Sequence, residues 1–276
     1  STLLKTLSAQ IKANDGDILI NGLLLEEYTP QLLAKEISVV LTETIHVSNL
    51  KVKELVAMGR FPYTNFWGKL SQEDERLVEE ALTTLGLTSL ADRDYIELSD
   101  GEKQKALIAK ALAQNTPIIL LDEPTAFLDF PSKMSILAEL RTIAHAKNVS
   151  IVLSTHDLEL ALKMADMLWL FPNKNEVVTG IPEDLVLSRS ISKAFSNKIL
   201  TFDLESAHFE QSVQTIDLLE VEGDSLEIAW LKRALVRKGI NPKPAVKKDL
   251  KVNFNPLNSK YNLSKDGLLL GEYGSI

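Results

Sequence analysis

Two short apolar segments separated by a helical stretch most constrain the fold of this chain. The segments are Pro117–Leu121 and Val149–Leu153, and a helix is predicted between them over Ser132–Ala146. Two buried strands joined by a helix form the β-α-β unit of a parallel sheet, which is covered on both faces. A helix over Asp157–Ala165 and a strand over Met167–Phe171 follow. The sequence therefore predicts an α/β fold.

The regions on either side of this unit have a different character. An Asn21-Gly22 pair between two apolar runs predicts a hairpin, and Thr29-Pro30 predicts the start of a helix. Residues from about 44 to 115 are mostly helical, with Ser71 and Asp74 spaced as a capping box. We therefore predict one main domain over residues 1–200, with a helical subdomain at about 44–115.

The chain beyond residue 200 predicts a small α+β accessory domain over residues 201–276, which could be incomplete at its end. Strand patterns there surround an amphipathic helix over Ser225–Lys238, which Gly239 would end. The spacing predicts that this helix buries one apolar face, and the residues of that face are Leu226, Trp230, Ala234 and Leu235.

The overall charge argues against a nucleic-acid partner. The chain has 276 residues, with 38 acidic and 30 basic side chains and a formal net charge of -8. Nucleic-acid binding draws most of its affinity from clustered lysine and arginine. The absence of cysteine excludes a disulfide framework and cysteine-ligated zinc. No apolar run reaches the roughly 18 to 20 residues of a membrane-spanning helix, so any membrane role is expected to come through a partner.

Two adjacent carboxylates follow the first apolar strand. Asp122 and Glu123 end the run I-I-L-L-D-E-P, and successive side chains at the end of a strand point in different directions. Asp122 could therefore reach a metal ion while Glu123 faces a separate reacting group. In P-loop NTPases, acids in this position hold Mg²⁺ on the nucleotide phosphates and polarise the attacking water. For such a run taken alone, a solvated acid pair at a turn is the alternative.

A capping-box pattern and a histidine add candidate phosphate contacts. Ser99 lies three residues before Glu102, which predicts the start of a helix running to Gln114. The same N-terminus, with Gly101 in its first turn, could bind an anion through its N–H groups and the helix dipole. His156 follows the second strand in S-T-H-D and could donate a hydrogen bond to a terminal phosphate there. Taken alone, each of these residues also fits a structural role.

The order of these segments resembles the nucleotide-binding subunit of ABC transporters. The series is L-S-D-G-E-K-Q, then I-I-L-L-D-E-P-T, then A-F-L-D, then S-T-H-D. These are similar, in the same order, to the family's signature motif L-S-G-G-Q, Walker B strand, D-loop and switch-histidine loop. The resemblance covers roughly residues 1 to 195. It implies a P-loop NTPase-like ABC cassette that binds ATP and Mg²⁺.

The resemblance implies a role for each candidate around the two strands. Glu123 resembles the general base that orients the attacking water, Asp122 the acid on Mg²⁺, and His156 the γ-phosphate sensor. The opening S-T-L-L-K-T-L resembles the end of the Walker A loop, G-x-x-G-x-G-K-S/T-T-L-L. Ser1 would then be a hydroxyl on Mg²⁺ and Thr2 a phosphate contact, unless Ser1 merely caps a helix. The glycines and lysine of that loop would precede Ser1, so the chain from Ser1 onward is expected to bind ATP poorly by itself.

The remaining candidates belong to a dimer interface in the resembled family. Asp129 resembles the D-loop residue at that interface, and Ser99 and Gly101 would contact the nucleotide held by the opposite subunit. The family hydrolyses ATP as a closed dimer, and its closing and opening move a permease. Two departures from the pattern stand out. Glu43 occupies a position that is usually glutamine, and the signature motif has acids at positions 100 and 102. We expect these changes to tune activity rather than abolish it.

The stretch N-L-K-V-K-E-L-V-A-M-G-R-F-P-Y over residues 49–63 is similar to the helical subdomain of importers for iron-siderophores, haem and cobalamin. This likeness implies an ATPase homodimer on the cytoplasmic face of the membrane, bound to integral-membrane permease subunits and indirectly serving a substrate-binding protein. Nearby aromatic residues either contact the permease or pack inside the subdomain; these are Phe61, Tyr63, Phe66 and Trp67.

Two other functions stay open at this stage. A soluble ABC ATPase acting on DNA or ribosomes would typically carry long coiled coils, paired cassettes or basic surfaces, and the sequence shows none of these. A regulatory module that has lost catalysis is the third hypothesis. Against it stand the retained Asp122, Glu123, Ser99 and His156.

Overall fold

A computed structural model describes most of the chain. The described residues are 1–41, 49–64, 68–173, 176–196, 200–203, 208–211, 217–218, 220–222, 225–242, 250–256, 258–265 and 268–274. The chain divides into two compact units, Ser1–Leu168 and Trp169–Ile276. The predicted boundary near residue 200 stays a prediction. Within the described ranges, no helix combines the length and the apolar character needed to cross a membrane.

The first unit is an α/β fold, as the sequence predicts. Its helices are α1 (Thr2–Leu7), α2 (Pro30–Glu36), α3 (Val52–Ala57), α4 (Gln72–Thr84), α5 (Asp100–Ala113), α6 (Phe130–Lys147) and α7 (Leu158–Met164). Its strands are β1 (Leu19–Ile20), β2 (Leu23–Leu24), β3 (Ile37–Val40), β4 (Ile118–Leu121) and β5 (Ser150–Leu153). Strands β3, β4 and β5 lie side by side in this order, all parallel, so their carboxyl ends share one edge.

Local sequence signals fix several element ends in this unit. The Asn21-Gly22 turn has φ angles of 49° and 84° and joins the antiparallel strands β1 and β2. Both residues are types that tolerate a positive φ angle, which a tight hairpin turn requires. Thr29 caps α2 by accepting a backbone hydrogen bond, and Ser71 with Asp74 forms the capping box of α4. The predicted hairpin and both predicted helix starts are confirmed.

Helices α3, α4 and α5 pack together into a helical subdomain with a shared apolar core. Core residues from these helices include Leu55, Val56, Val78, Ala81, Leu82, Ala106, Ala109 and Leu112. The chain after α3 passes so close to α5 that a Cβ atom on Gly59 would collide with the carbonyl oxygen of Lys110. The glycine of the M-G-R-F-P-Y segment is therefore required by backbone packing.

Arg60, the next residue in that segment, forms a buried ion pair. Its Nε donates to Asp74 Oδ1 at 2.8 Å, and its Nη1 donates to the carbonyl oxygens of Ala113 and Gln114 at 2.9 and 3.0 Å. The guanidinium also lies 4.0 Å from the centroid of the Tyr63 ring. Arg60 therefore ties the segment to both α4 and α5, because one planar cation satisfies four partners.

The aromatic residues that the structure describes in this region are both exposed, to different degrees. Phe61 is 58% exposed, and Tyr63 is still 37% exposed although Arg60 covers one face of its ring. Phe66 and Trp67 lie outside the described residues. Both described aromatic residues are therefore accessible, and Phe61 is the more exposed of the two.

The second unit is a mixed α and β structure. Its first strand, β6 (Leu168–Asn173), begins at the last residue of the first unit. The elements that follow are β7 (Glu176–Gly180), α8 (Pro182–Leu187), α9 (Ser190–Phe195), β8 (Leu200–Asp203), β9 (His208–Gln211), β10 (Asp217–Leu218), β11 (Glu220–Glu222), α10 (Leu226–Arg237), β12 (Ile240–Asn241), β13 (Leu250–Asn255), β14 (Lys260–Lys265) and β15 (Leu268–Tyr273). Strand β6 pairs with β7, and β11, β13, β14 and β15 form one sheet in that order. The pairings from β13 to β15 are antiparallel, as expected for an α+β appendage.

The predicted buried face of α10 is wrong in half of its residues. Leu226 is 70% exposed and Trp230 is 50% exposed, while Ile228 and Leu231 are buried. The two buried residues pack in a core with valines from β11 and β13, and Leu235 packs against that core. The helix sequence has two overlapping apolar faces. The face that packs against the sheet contains Ile228 and Leu231, whereas the spacing of apolar residues predicted the face that contains Leu226 and Trp230.

Candidate functional site

The carboxyl edge of the parallel sheet brings the strand-end residues together. The backbone N–H of Asp122 donates to the carbonyl of Val40 at 2.8 Å, and the N–H of Ser154 donates to the carbonyl of Leu121 at 3.0 Å. Hydrogen bonding between the strands therefore continues one residue past the end of β4 and of β5. Asp122 and Ser154 consequently start from adjacent, fixed backbone positions.

Ser154 connects the two acidic residues through its hydroxyl. Its Oγ donates to Asp122 Oδ1 at 2.7 Å and accepts the backbone N–H of Glu123 at 2.9 Å. Asp122 is only 3% exposed. A buried carboxylate needs hydrogen-bond partners to stay charged, and the Ser154 hydroxyl supplies one.

Glu123 and His156 form the exposed part of the same cluster. Glu123 has a φ angle of 49°, in the left-handed region, which is unfavourable for a residue with a side chain. Its Oε1 lies 2.6 Å from Nε2 of His156, a side chain that is 87% exposed. Because an ionised carboxylate has no proton to give, the imidazole donates in this contact. The His156 ring can therefore leave Glu123 for another acceptor without disturbing buried structure.

Ser1 and Thr2 lie at the same edge of the sheet. The backbone nitrogen of Ser1 is 3.4 Å from Asp122 Oδ1, and Thr2 is the first residue of α1. Ser1 occupies the N-cap position of this helix but forms no capping hydrogen bond through its side chain. The structure thus brings together five of the predicted site residues: Ser1, Thr2, Asp122, Glu123 and His156.

A second group of predicted residues lies at the N-termini of α5 and α6. Ser99 accepts the N–H of Glu102 at 3.4 Å, and its own N–H and O–H donate to Glu102 Oε2 at 2.8 and 2.6 Å. The Ser99 hydroxyl and N–H together hold the pKa of Glu102 below its ordinary value. Asp129 caps α6 by accepting the N–H of Ser132 at 3.0 Å, and the hydrogen bonds from Ser132 lower the pKa of Asp129.

These two helix starts face one cavity. A side-chain carbon on Gly101 would lie 3.9 Å from the Ser132 hydroxyl, so the first turns of α5 and α6 are neighbours. The cavity beside them has a volume of about 320 Å³, and its polar lining includes Ser99, Glu102, Lys105, Ser132 and Ser135. Asp122 and Glu123 are not among the described residues that line it. Within one chain, the predicted site therefore falls into two separate groups.

Three residues need separate comment. Glu43 lies outside the described residues, so its predicted role stays a prediction. Sequence reasoning missed Ser154, although a hydroxyl directly after an apolar strand beside the acid pair was the available signal. It also missed Phe127, which is 95% exposed and has a φ angle of 63° in the A-F-L-D segment.

The oxygen donors at the sheet edge suit a hard cation that arrives with a phosphate. Asp122 offers a carboxylate, and Ser1, whose backbone nitrogen lies 3.4 Å from that carboxylate, is a residue that carries a hydroxyl. In the part of the chain that the structure describes, no group of three or more histidine, cysteine or acidic side chains is arranged to hold a metal ion. Mg²⁺ typically takes one or two protein oxygens and completes its shell with substrate phosphates and water, so this sparse donor set fits it.

Comparison with known proteins gives consistent matches. The family model described as ABC transporter matches residues 1–126, which include Asp122 and Glu123. The petrobactin import ATP-binding protein FpuD of Bacillus anthracis is 35% identical over 195 residues, which are 71% of this chain and 71% of that protein. The ferric enterobactin transport ATP-binding protein FepC of Escherichia coli is 32% identical over 203 residues, 74% of this chain and 75% of that protein.

A solved structure matches as well. The dimeric structure of a post-hydrolysis state of an ATP-binding cassette, bound to ADP and Pi, superposes with a TM-score of 0.53 at 25% identity. The match covers 61% of this chain and 74% of that one. The fold comparison and the sequence comparisons therefore agree, because both match this chain to ATP-binding proteins.

Proposed function

The chain belongs to the ABC transporter family, and on that premise we propose that it is the ATP-hydrolysing subunit of a membrane importer. The observation that carries this proposal is the cluster at the carboxyl edge of the sheet. There, Asp122 is buried and held by Ser154, while Glu123 is half-buried and faces an exposed histidine. Two neighbouring carboxylates in such different surroundings are suited to different tasks.

The residues of the cluster divide the work of hydrolysis between them. Asp122 and the Ser1 hydroxyl would hold Mg²⁺, which when bound neutralises charge on the phosphates. Glu123 accepts a proton from the attacking water, and Thr2 contacts a phosphate at the start of α1. His156 now donates its Nε2 proton to Glu123 Oε1. Transfer of that hydrogen bond to the γ-phosphate of ATP leaves Oε1 available to the water.

The second group of residues acts on a nucleotide held by another copy of the chain. Ser99 and Gly101 lie at the N-terminus of α5, where backbone N–H groups and the helix dipole favour phosphate. Ser99, Asp129 and Phe127 are all exposed at these loops and helix starts. This exposure supports a homodimer in which each site is completed by the partner's α5, and the dimeric ATP-binding cassette with ADP and Pi is a precedent.

The importer assignment comes from the relatives and from the helical subdomain. Similar proteins are named for petrobactin import and ferric enterobactin transport. We propose iron-siderophore, haem or cobalamin as the cargo, and a position on the cytoplasmic face of the membrane through permease subunits, indirectly serving a substrate-binding protein. Phe61 is exposed on the subdomain and is the proposed permease contact. No nucleic-acid partner is proposed, because the chain carries a net charge of -8.

Hydrolysis of Mg²⁺-ATP by the full-length protein tests the proposal. Replacing Glu123 with glutamine keeps the shape of the side chain but removes the base, so turnover should fall about 10² to 10⁴-fold. The Glu123→Gln protein should also accumulate as an ATP-bound dimer in size-exclusion chromatography.

The exposed helix residue Glu183 offers a matched control, and Glu183→Gln should hydrolyse ATP at the parental rate. A Glu123→Gln protein that also keeps the parental rate would remove Glu123 from its role. A parental protein that binds ATP without hydrolysing it would favour the regulatory module instead.

A further inference from the structure

The Ser154 hydroxyl uses its hydrogen-bonding capacity on both acidic residues of the proposed site. A serine hydroxyl has one proton to donate and two lone pairs that accept. The proton goes to Asp122 Oδ1 at 2.7 Å, and a lone pair takes the N–H of Glu123 at 2.9 Å. These bonds span 32 and 31 residues of sequence, so they join the end of β5 to the end of β4.

The bond to Asp122 fixes the rotation of a carboxylate that has little room to adjust. Asp122 is buried, and its backbone is anchored to Val40 across the sheet. With the backbone fixed, the remaining freedom of the side chain is rotation about its own bonds. A hydrogen bond to one oxygen removes that freedom and sets the direction in which the carboxylate meets a cation.

The bond to Glu123 supports an unfavourable backbone conformation. Glu123 has a φ angle of 49°, which a non-glycine residue holds only when its surroundings enforce it. The N–H of Glu123 is part of the peptide that must turn to reach this φ angle, and Ser154 accepts its hydrogen. The same turn aims the Glu123 side chain at His156, 2.6 Å away.

We propose that Ser154 is a positioning residue that sets the Mg²⁺-binding acid and the general base in one fixed geometry. This inference rests on the proposed function and deepens it. Ser154 touches neither nucleotide nor water in this role, because it acts through Asp122 and Glu123. A single hydroxyl therefore links the binding of the cation to the activation of water.

The test compares two replacements of Ser154 that have the same shape as each other, threonine and valine. Ser154→Thr keeps a hydroxyl at the end of β5, whereas Ser154→Val has a methyl group in place of that hydroxyl. Ser154→Val should raise the half-saturating Mg²⁺ concentration for ATP hydrolysis about 10- to 100-fold and also lower kcat, since orienting partners of metal ligands typically have effects of this size. Ser154→Thr should retain the parental values.

A second readout does not depend on turnover. Binding of Mn²⁺ to the full-length protein with a non-hydrolysable ATP analogue, followed by electron paramagnetic resonance, should weaken in Ser154→Val and not in Ser154→Thr. Ser150, an exposed residue at the start of β5, provides the matched control, and Ser150→Val should leave both readouts unchanged.

Equal Mg²⁺ dependence and equal Mn²⁺ affinity in the valine and threonine variants would overturn the inference, even if the valine variant melted at a lower temperature. That result would leave Ser154 with a structural role alone. A parental protein that binds the Mn²⁺ complex but hydrolyses no ATP would count against the proposed function instead. In that case, the Mn²⁺ comparison would still decide the role of Ser154 at Asp122.

Discussion

Two clusters of charged side chains in the first unit are built in opposite ways. In the first cluster, Arg60 and Asp74 are both buried, and each group has several partners, including Ser71 and two backbone carbonyls. In the second cluster, at the sheet edge, His156 is almost fully exposed and Glu123 holds a left-handed backbone. We call the first cluster closed, because its charged groups are buried and hydrogen-bonded. We call the second cluster open, because its histidine is exposed and its glutamate has an unfavourable backbone conformation.

This difference separates residues that stabilise the fold from residues that do chemistry. A buried ion pair with complete hydrogen bonding holds packed elements in place, and removing one partner leaves an uncompensated charge. A strained backbone under an exposed group lowers the stability of the fold, but it holds that group in a defined position at the surface. Changes in the first cluster should therefore affect unfolding, and changes in the second should affect turnover.

The largest expected effect on stability comes from Arg60→Leu. The change leaves the Asp74 carboxylate buried without its cation and removes the donor from two carbonyls, so the free energy of unfolding should fall by about 3 to 5 kcal/mol. Urea unfolding followed by circular dichroism measures it. Arg76 offers a control, since its bonds to Glu73 and Glu80 lie on the surface, and Arg76→Leu should leave the free energy of unfolding nearly unchanged. An equal loss of unfolding free energy in both variants would contradict the difference between the buried and the surface ion pairs.

Acid should weaken the closed cluster in a defined direction. Burial by itself raises the pKa of Asp74, but the hydrogen bonds from Ser71 and Arg60 outweigh it, so the pKa lies below its ordinary value. A carboxyl group with a lowered folded-state pKa stabilises fully above its unfolded pKa of about 3.9, and that contribution is lost as the pH falls through the folded value.

The matching measurement compares the parent with Asp74→Asn. Asparagine has the same shape but no titrating charge, so the parent should be more stable at neutral pH. The gap in unfolding free energy should narrow once the pH drops below about 4. A gap that stays constant down to the acid limit of folding would show that the charge of Asp74 contributes nothing.

The smallest expected effect is a gain in stability at the open cluster. Glycine adopts a φ angle of 49° without the cost that a Cβ atom brings. Glu123→Gly should therefore be more stable than Glu123→Ala by about 1 kcal/mol, while both variants lose ATP hydrolysis. Thermal unfolding of the two variants measures the difference. If alanine and glycine are equally stable there, the left-handed backbone at this position carries no strain.

Much of the fold was predictable because its signals are local. The capping box of Ser99 and Glu102 closes over three residues, and so does that of Ser71 and Asp74. Bonds of this kind depend on the geometry of one helical turn, so residue type and spacing suffice to predict them. The acid pair and the histidine were also predictable as candidates, because parallel strands put their carboxyl ends at one edge.

The Ser154–Asp122 contact and the buried face of α10 depend instead on contacts between segments that are distant in sequence. The sequence by itself determined the β-α-β unit, the starts of several helices, and which acids and histidine reach the sheet edge. Only the tertiary structure decided that Ser154 meets Asp122, because the register of β4 against β5 sets which side chains face each other. It also decided which stripe of α10 is buried, since two apolar stripes compete and only the shape of the facing sheet chooses between them.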